Sequence, residues 1–200
     1  NPVYNSSTWF IYMEEKMAHL PTDHSDVPIR LFKSDFLEFF SHISPITVLV
    51  IWLPVALFFL IWSIAHAPAG GFPVVIPLGF LVGLFLWTLA EYVLHRFLFH
   101  MPVKGEKAER IIFLFHGVHH AQPQLKTRLV MPPVISIPLA AIFYALFYLF
   151  FAVILKAAQW VAPVFSAFIF GYLLYDLTHY ATHHFPMRGG YAKYIKRYHM

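Results

Sequence analysis

The chain has 200 residues, of which 59% are hydrophobic and only 12% are charged, and its mean hydropathy is +0.62. A soluble domain usually carries about 25% charged residues, so this composition excludes an ordinary water-soluble domain and predicts a membrane protein. The modest net charge of +4 argues against a nucleic-acid partner, and the absence of cysteine excludes disulfides, thiolate metal sites and cysteine nucleophiles.

Residues 1–44 form a polar and aromatic segment that we expect to be cytosolic or interfacial. Its last part brings the apolar residues Phe36, Leu37, Phe39 and Phe40 together among charged neighbours. This pattern is typical of an amphipathic helix that lies on the membrane surface. An ordinary helix packed against the protein explains it equally well, so both interpretations stay open.

Residues 45–200 contain the membrane domain, because four long apolar runs occur there. The runs are 45–64, 72–90, 129–155 and 160–175. The first three are long enough to cross a bilayer as a helix, and the fourth, of 16 residues, continues directly into Asp176 and His179. A polar turn at 66–71 and a very short turn at 156–159 join them in pairs. We therefore expect an all-α integral membrane protein with four transmembrane helices in two hairpins.

Lysine and arginine side chains orient these hairpins. If both short turns lie outside, 13 of the 14 lysines and arginines lie on one face, and only Lys156 lies on the other. The excess of positive charge marks the cytosolic face. This orientation places both chain ends and every histidine cluster in a single cytosolic cap.

Three clusters of histidines follow the membrane runs. They are His95 and His100, then His116, His119 and His120, and finally His179, His183 and His184. Residues three or four apart share one face of an α-helix, whereas a five-residue spacing turns His100 and His184 by about 140° from their partners. Such residues either wrap around one metal or serve a second. One metal rarely takes more than about four such ligands, so the set predicts two metals unless several histidines only hydrogen-bond to ligands.

Four isolated histidines receive a different interpretation. His19, His24, His42 and His66 are expected to be structural or solvent-facing. Two carboxylates lie near the clusters, since Glu91 precedes His95 by one turn and Asp176 precedes His179 by three residues. Each could orient a ligating imidazole through a hydrogen bond or bind metal itself, and the first role is favoured.

The kind of metal follows from the ligands and the chemistry. Imidazole binds zinc, copper, iron and nickel. A hydrolytic zinc site is expected to show a His-Glu-x-x-His arrangement, which does not occur in this sequence. Oxidation of an unactivated C–H bond needs a redox metal, which zinc is not. We therefore expect two irons that activate O2, although zinc could occupy the same ligands in purified protein.

The histidine motifs resemble those of the fatty acid hydroxylase superfamily of membrane di-iron enzymes. The motifs are HRFLFH (95–100), HGVHH (116–120) and HYATHH (179–184), which correspond to HX4H, HX2HH and HX3HH boxes. WTLAEY (87–92) and RLVMPP (128–133) make the chain most similar to the fatty acid 2-hydroxylases, also called sphingolipid alpha-hydroxylases. The resemblance covers about residues 75–200. A fourth HX2HH box is expected to begin at His199, with two further histidines beyond Met200.

The resemblance implies hydroxylation at the carbon next to an acyl carbonyl, in a free fatty acid or a ceramide. It implies a di-metal centre with the ligands His95, His100, His116, His119, His120, His179, His183, His184 and His199. Electrons would come from a separate donor such as cytochrome b5 and its reductase. The membrane would be the endoplasmic reticulum in a eukaryote or the inner membrane in a bacterium.

The substrate is expected to place its tail among the apolar helices and its carbonyl near Tyr172, Tyr175 and Asp176. We name Tyr175 and Asp176 as the candidate catalytic residues. The helical spacing of Tyr191, Tyr194, Ile195 and Tyr198 predicts a helix on the headgroups that covers a polar substrate end. It also predicts contact with the lipid bilayer.

Three other functions compete with 2-hydroxylation. A sterol or carotenoid hydroxylase or desaturase would use the same boxes. A metal-dependent membrane hydrolase would work without O2 or a reductant. A metal transporter would need histidines within the spans and access from both faces, and the location of the clusters at one face argues against it.

Overall fold

The structure is a computed structural model that describes residues 28–99, 103 and 105–199. All regular structure within these residues is helical. In chain order the α-helices are α1 (Asp35–Phe39), α2 (Pro45–Ala65), α3 (Phe72–Val93), α4 (Glu106–Ile112), α5 (Val118–Ala121), α6 (Pro133–Phe147), α7 (Val161–His184) and α8 (Gly190–His199). Three π-helical segments, Leu94–Phe99, Phe113–Gly117 and Tyr148–Ile154, continue or precede α-helices, and a 3-10 turn at Ala158–Trp160 leads into α7.

Four helical segments are long and apolar enough to cross a membrane. They are Pro45–Ala65, Phe72–Leu98, Pro133–Ile154 and Ala158–His184, which we call the first to fourth spans. They confirm the predicted all-α fold with four membrane helices. The second and fourth spans run past their predicted ends, because the polar residues that carry the first and third histidine clusters are helical as well.

The third span begins later than the apolar run predicted. Residues 129–132 are buried or half-buried but not helical, and α6 starts at Pro133. Pro132 has an extended backbone with ψ 143°, as expected for a residue that precedes proline. Pro133 then occupies the first turn, where its missing N–H costs no hydrogen bond.

The fourth span lies at the centre of the bundle, with α2 and α3 packed against it. Small residues allow this close approach. A Cβ added to Gly83 of α3 would lie 2.2 Å from the Val164 carbonyl oxygen, and one added to Gly171 would lie 2.6 Å from the Trp87 side chain. On the other side, the Ser166 hydroxyl donates a hydrogen bond of 2.8 Å to the carbonyl of Ala56. Helices in lipid associate through such close packing and through polar contacts.

Candidate functional site

The third histidine cluster occupies the last turns of α7. His179 is buried, and its ring centroid lies 5.2 Å from that of His183. Tyr175 stacks on the other side of His179, with 5.7 Å between ring centroids. The contact between His179 and His183 confirms that this four-residue pair shares one helix face. Burial against the bundle fixes the His179 ring before any ligand binds.

His184 lies on a different side of the same helix. Its ring contacts Tyr180, with 4.5 Å between centroids. Its Nε2 atom is buried and has no hydrogen-bond partner among the atoms that the structure describes. A buried imidazole nitrogen without a partner has the character of an unused metal ligand, because buried polar atoms are otherwise hydrogen-bonded.

The first histidine cluster begins in a π-helix rather than an α-helix. His95 lies in the segment Leu94–Phe99, which continues the second span. Residues five apart are hydrogen-bonded neighbours along a π-helix. The angular offset that we expected for His95 and His100 assumed an α-helix, and it stays a prediction because only His95 is described. His100 itself lies outside the described residues.

The second cluster also combines π- and α-helical backbone. His116 lies in the π-helix Phe113–Gly117, and His119 and His120 lie in the four-residue helix α5. Gly117 is needed at the junction, because a Cβ there would lie 2.8 Å from the Phe113 ring. His120 is exposed. The side chains of His116, His119 and His199 lie outside the described part of the chain.

The predicted two-metal centre is not assembled by the side chains described. Among them, no group of three or more histidine, aspartate or glutamate residues is spaced to hold a metal ion. The ligand set therefore stays a prediction. Imidazole is nevertheless the predominant donor at this end of the bundle, and the buried Nε2 of His184 and the paired rings of His179 and His183 fit a metal that takes nitrogen ligands.

Asp176 connects the third cluster to the segment that follows the second. Its side chain is 4% exposed, and Oδ2 accepts a hydrogen bond of 3.3 Å from the backbone N–H of Met131. This contact crosses from α7 to the residues just ahead of α6. Glu91, the other candidate carboxylate, is half-buried on α3. No described contact assigns either carboxylate to a histidine, so their proposed orienting role stays a prediction.

A narrow cavity of about 20 Å³, room for about one water molecule, lies among the four spans close to Asp176. Its lining consists mainly of apolar and aromatic side chains, including Trp52, Trp87, Phe143 and Phe168. Tyr172 also lines it, and the buried Tyr172 hydroxyl faces Ser136 and Asp176 without completing a hydrogen bond in the described structure. The cavity therefore joins an apolar interior to the Tyr172 hydroxyl, which lies about two helical turns from His179 on α7, with Asp176 between them.

Several residues near the site were not identified from the sequence. Trp52 and Ser136 form a buried hydrogen bond of 3.1 Å across two spans beside the cavity. Gln122 and Arg128 are buried in the loop after the second cluster. Both lie in a polar stretch (119–128, HHAQPQLKTR), so their residue type did not indicate burial. Of the four histidines expected to be structural or solvent-facing, His42 bonds to that loop and His66 stacks on Trp62; His19 and His24 lie outside the described residues.

Comparison with known proteins places these features in a family. The family model for fatty acid hydroxylase matches residues 80–200. A dihydroceramide fatty acyl 2-hydroxylase of Arabidopsis thaliana is 35% identical over 188 residues, which cover 93% of this chain and 75% of that protein. The fatty acid 2-hydroxylase of Homo sapiens is 38% identical over 205 residues, which cover 93% of this chain and 53% of that protein.

A solved structure agrees with these sequence matches. It is described as full-length scs7p with only the hydroxylase domain visible, and it has a TM-score of 0.81 and 31% identity to this chain. The match covers 100% of this chain and 70% of that one. The histidine motifs, the four membrane spans and the shared fold agree: this chain belongs to the fatty acid hydroxylase family.

Proposed function

We propose that this protein hydroxylates a fatty acyl chain at C2, either as a free fatty acid or within a ceramide. The observation that carries the proposal is the apolar cavity among the spans, whose polar end lies beside Asp176 on the helix that bears His179 and His183. The names of the relatives, a dihydroceramide fatty acyl 2-hydroxylase and a fatty acid 2-hydroxylase, support the same reaction.

The apolar side chains of the cavity would contact the acyl chain near its reacting carbon and exclude water there. Because the cavity has room for only about one water molecule, the rest of the tail would lie along the apolar surfaces of the spans. Trp52 and Trp87 line the cavity on different spans, and the hydrogen bond to Ser136 holds the Trp52 ring in place. The Tyr172 hydroxyl is free to donate a hydrogen bond to the carbonyl oxygen of the substrate. Such a contact holds C2 at a fixed distance from the histidines of α7.

Tyr175 and Asp176 remain our candidate catalytic residues. Tyr175 stacks on His179, and the Asp176 carboxylate is held by the Met131 N–H. Both therefore have fixed positions at the polar end of the cavity. In this proposal Asp176 orients the residues around the carbonyl, while Tyr175 keeps the His179 ring in one rotamer.

The histidine clusters would hold two iron ions, whose redox chemistry with O2 supplies the oxidising power that a C–H bond requires. The protein holds them with His95, His100, His116, His119, His120, His179, His183, His184 and the expected fourth box that begins at His199. Zinc binds the same kind of ligand and could replace iron in purified protein.

The excess of lysine and arginine at this end of the bundle supports a cytosolic location for it. There the protein would receive electrons from a separate donor such as cytochrome b5 and its reductase. The membrane would be the endoplasmic reticulum or, in a bacterium, the inner membrane. The stacked and exposed rings of Tyr191 and Tyr194 on α8 would lie at the headgroups and cover the polar end of the substrate.

Lipid mass spectrometry after expression in a host that lacks 2-hydroxy lipids tests the function. Wild-type protein is expected to form 2-hydroxy acyl products in air and none under anaerobic conditions. His179→Ala is expected to abolish the product, because it removes a buried imidazole from the third cluster. His66→Ala is the matched control, since His66 stacks on Trp62 at the opposite ends of the spans. Normal product from His179→Ala, or a hydroxylated sterol or carotenoid instead, would exclude the proposal.

A further inference from the structure

We propose that residues 29–43 act as a strap that holds the loop behind the second histidine cluster, and that Arg128 and Gln122 are the positioning residues through which it acts. The loop comprises residues 122–131. The proposal rests on the proposed function insofar as the second cluster binds metal. The contacts that carry it do not involve the histidine clusters, and all of them except the bond between Met131 and Asp176 lie outside the membrane spans.

Arg128 is the centre of the contact between strap and loop. Its side chain is 1% exposed, and its guanidinium donates to the carbonyl oxygen of Ile29 and to Glu38 Oε1, the latter at 2.5 Å. The same guanidinium nitrogen lies 2.9 Å from His42 Nε2. Arg128 thus binds the beginning, middle and end of the strap. A buried arginine whose partner is removed leaves an uncompensated charge, so these contacts are expected to form or break together.

Glu38 folds the strap around its own carboxylate. Oε2 accepts hydrogen bonds from the backbone N–H groups of Leu31 and Phe32 at 2.9 and 2.8 Å. Burial alone would raise the pKa of Glu38, but the hydrogen bonds from Phe32 and Leu31 and the positive charge of Arg128 outweigh it and hold the pKa below its usual value. The carboxylate is therefore charged at neutral pH and binds strap and loop at once.

Two further contacts fix the strap to the loop near its ends. The N–H of Ile29 donates to Gln122 Oε1 at 2.9 Å, and the N–H of Ile43 donates to the carbonyl of Thr127 at 2.7 Å. Gln122 is 1% exposed, and its own N–H donates to Val118 at 3.0 Å, which closes the short helix α5. That helix carries His119 and His120. Gln122 therefore links the strap directly to the second cluster.

The other end of the loop is attached to the third cluster's helix. There the N–H of Met131 donates to Asp176 Oδ2. The loop is held between the strap on one side and α7 on the other. α5 is the last turn of a continuous helical stretch that begins at Glu106, and the hydrogen bond from Ile29 to Gln122 holds the C-terminal end of that stretch. The position of the second cluster relative to the third depends on these attachments.

The orientation of α1 shows that polar contacts hold the strap. Phe36 is 71% exposed and Phe39 is 73% exposed, while the Glu38 side chain is 17% exposed and faces Arg128. The apolar face points away from the protein, as expected for a helix at the membrane interface. It also means that apolar packing contributes little to the attachment between α1 and the loop. Loss of the Glu38–Arg128 pair should therefore detach the strap.

Hydrogen–deuterium exchange on the full-length protein in detergent tests this attachment. Glu38→Gln and Arg128→Gln are expected to speed amide exchange in residues 118–128 by about tenfold or more, with the four spans unchanged. Asp35→Asn and Arg30→Gln are matched controls, because they remove the same charges from an ion pair whose side chains are 92% and 57% exposed. Exposed pairs contribute little, so the controls should exchange as wild type does.

The double variant and metal retention complete the test. Glu38→Gln combined with Arg128→Gln should exchange no faster than the more affected single variant, since both break the same contact between Glu38 and Arg128. The rate of metal loss to a chelator should rise in the same variants and not in the controls. Faster exchange confined to residues 29–43, with 118–128 unchanged, would overturn the proposal. If wild-type protein bound metal but formed no 2-hydroxy lipid, the proposed function would be wrong. The exchange experiment would still decide whether the strap holds the loop.

Discussion

The third and fourth spans differ in hydropathy and in burial, and the more apolar of the two is the less buried. The third span has a hydropathy of 2.4, and 6% of its most apolar window is buried inside the protein. The fourth has a hydropathy of only 1.5, and 67% of its window is buried. The less apolar helix is thus the inner one, which reverses the rule for soluble proteins.

The reversal follows from lipid as the solvent. Lipid tails are as apolar as a leucine side chain, so helices in a bilayer gain little from moving leucine or phenylalanine inward. They gain instead from close packing of small residues and from buried hydrogen bonds. The fourth span offers Ser166, Ala167 and Gly171 at such contacts, whereas the third presents large side chains such as Leu146 to the lipid. The reacting groups can therefore be placed on the buried helix.

The largest effect is expected where α3 and α7 approach most closely. Gly83→Ala places a methyl group 2.2 Å from the Val164 carbonyl oxygen and 2.6 Å from Ala167 Cβ. The helices must separate, and we expect the free energy of unfolding to fall by about 3 kcal/mol or more. Thermal unfolding in detergent measures this. Ala141→Leu on the exposed face of α6 is a control that adds more volume; an equal loss there would show that packing against α7 is not what distinguishes the two spans.

The sequence predicts the fold well because the membrane sets the length of each apolar run. All four spans and both hairpins follow from hydropathy and from the turns around Gly70 and Lys156, both of which have positive φ values, of 73° and 54°. The span ends were less predictable. The second and fourth helices continue through polar residues, because backbone hydrogen bonding does not stop where apolar side chains do. The order of burial among the spans was not predicted at all.

The ligand set of the candidate site stays a prediction, and its local geometry followed from the sequence only in part. Spacing was sufficient to pair His179 with His183, because α7 is a regular helix there. The π-helix around His95 was not predicted, since no residue type in it identifies one. The Arg128–Glu38 contact joins residues 90 positions apart, and no local periodicity reports such a pairing.

A smaller effect is expected from truncating equivalent leucines on the two helices. Leu173→Ala on α7 removes a side chain that is 3% exposed, and Leu146→Ala on α6 removes one that is 51% exposed. We expect a loss of about 2 kcal/mol for Leu173→Ala, because packing contacts are lost and a void remains. Leu146→Ala should change the free energy of unfolding by less than about 0.5 kcal/mol, since lipid fills the space. Unfolding in a detergent series compares the pair, and similar losses would contradict the proposed contrast.

The smallest change in stability is expected at Asp176, where substitution by alanine or by asparagine separates the loss of a hydrogen bond from the loss of charge. Asp176→Ala leaves the Met131 N–H without its acceptor and should cost about 1–2 kcal/mol. Asp176→Asn keeps a carbonyl oxygen at that position, so its unfolding should stay close to wild type. If the charge of Asp176 orients the polar end of the site, Asp176→Asn should still lower 2-hydroxy product by about 10- to 100-fold. Wild-type product levels from a stable Asp176→Asn protein would show that the only role of Asp176 is to connect α7 to the loop. At this position, the polar residue of the buried fourth span would then serve packing and not the reaction.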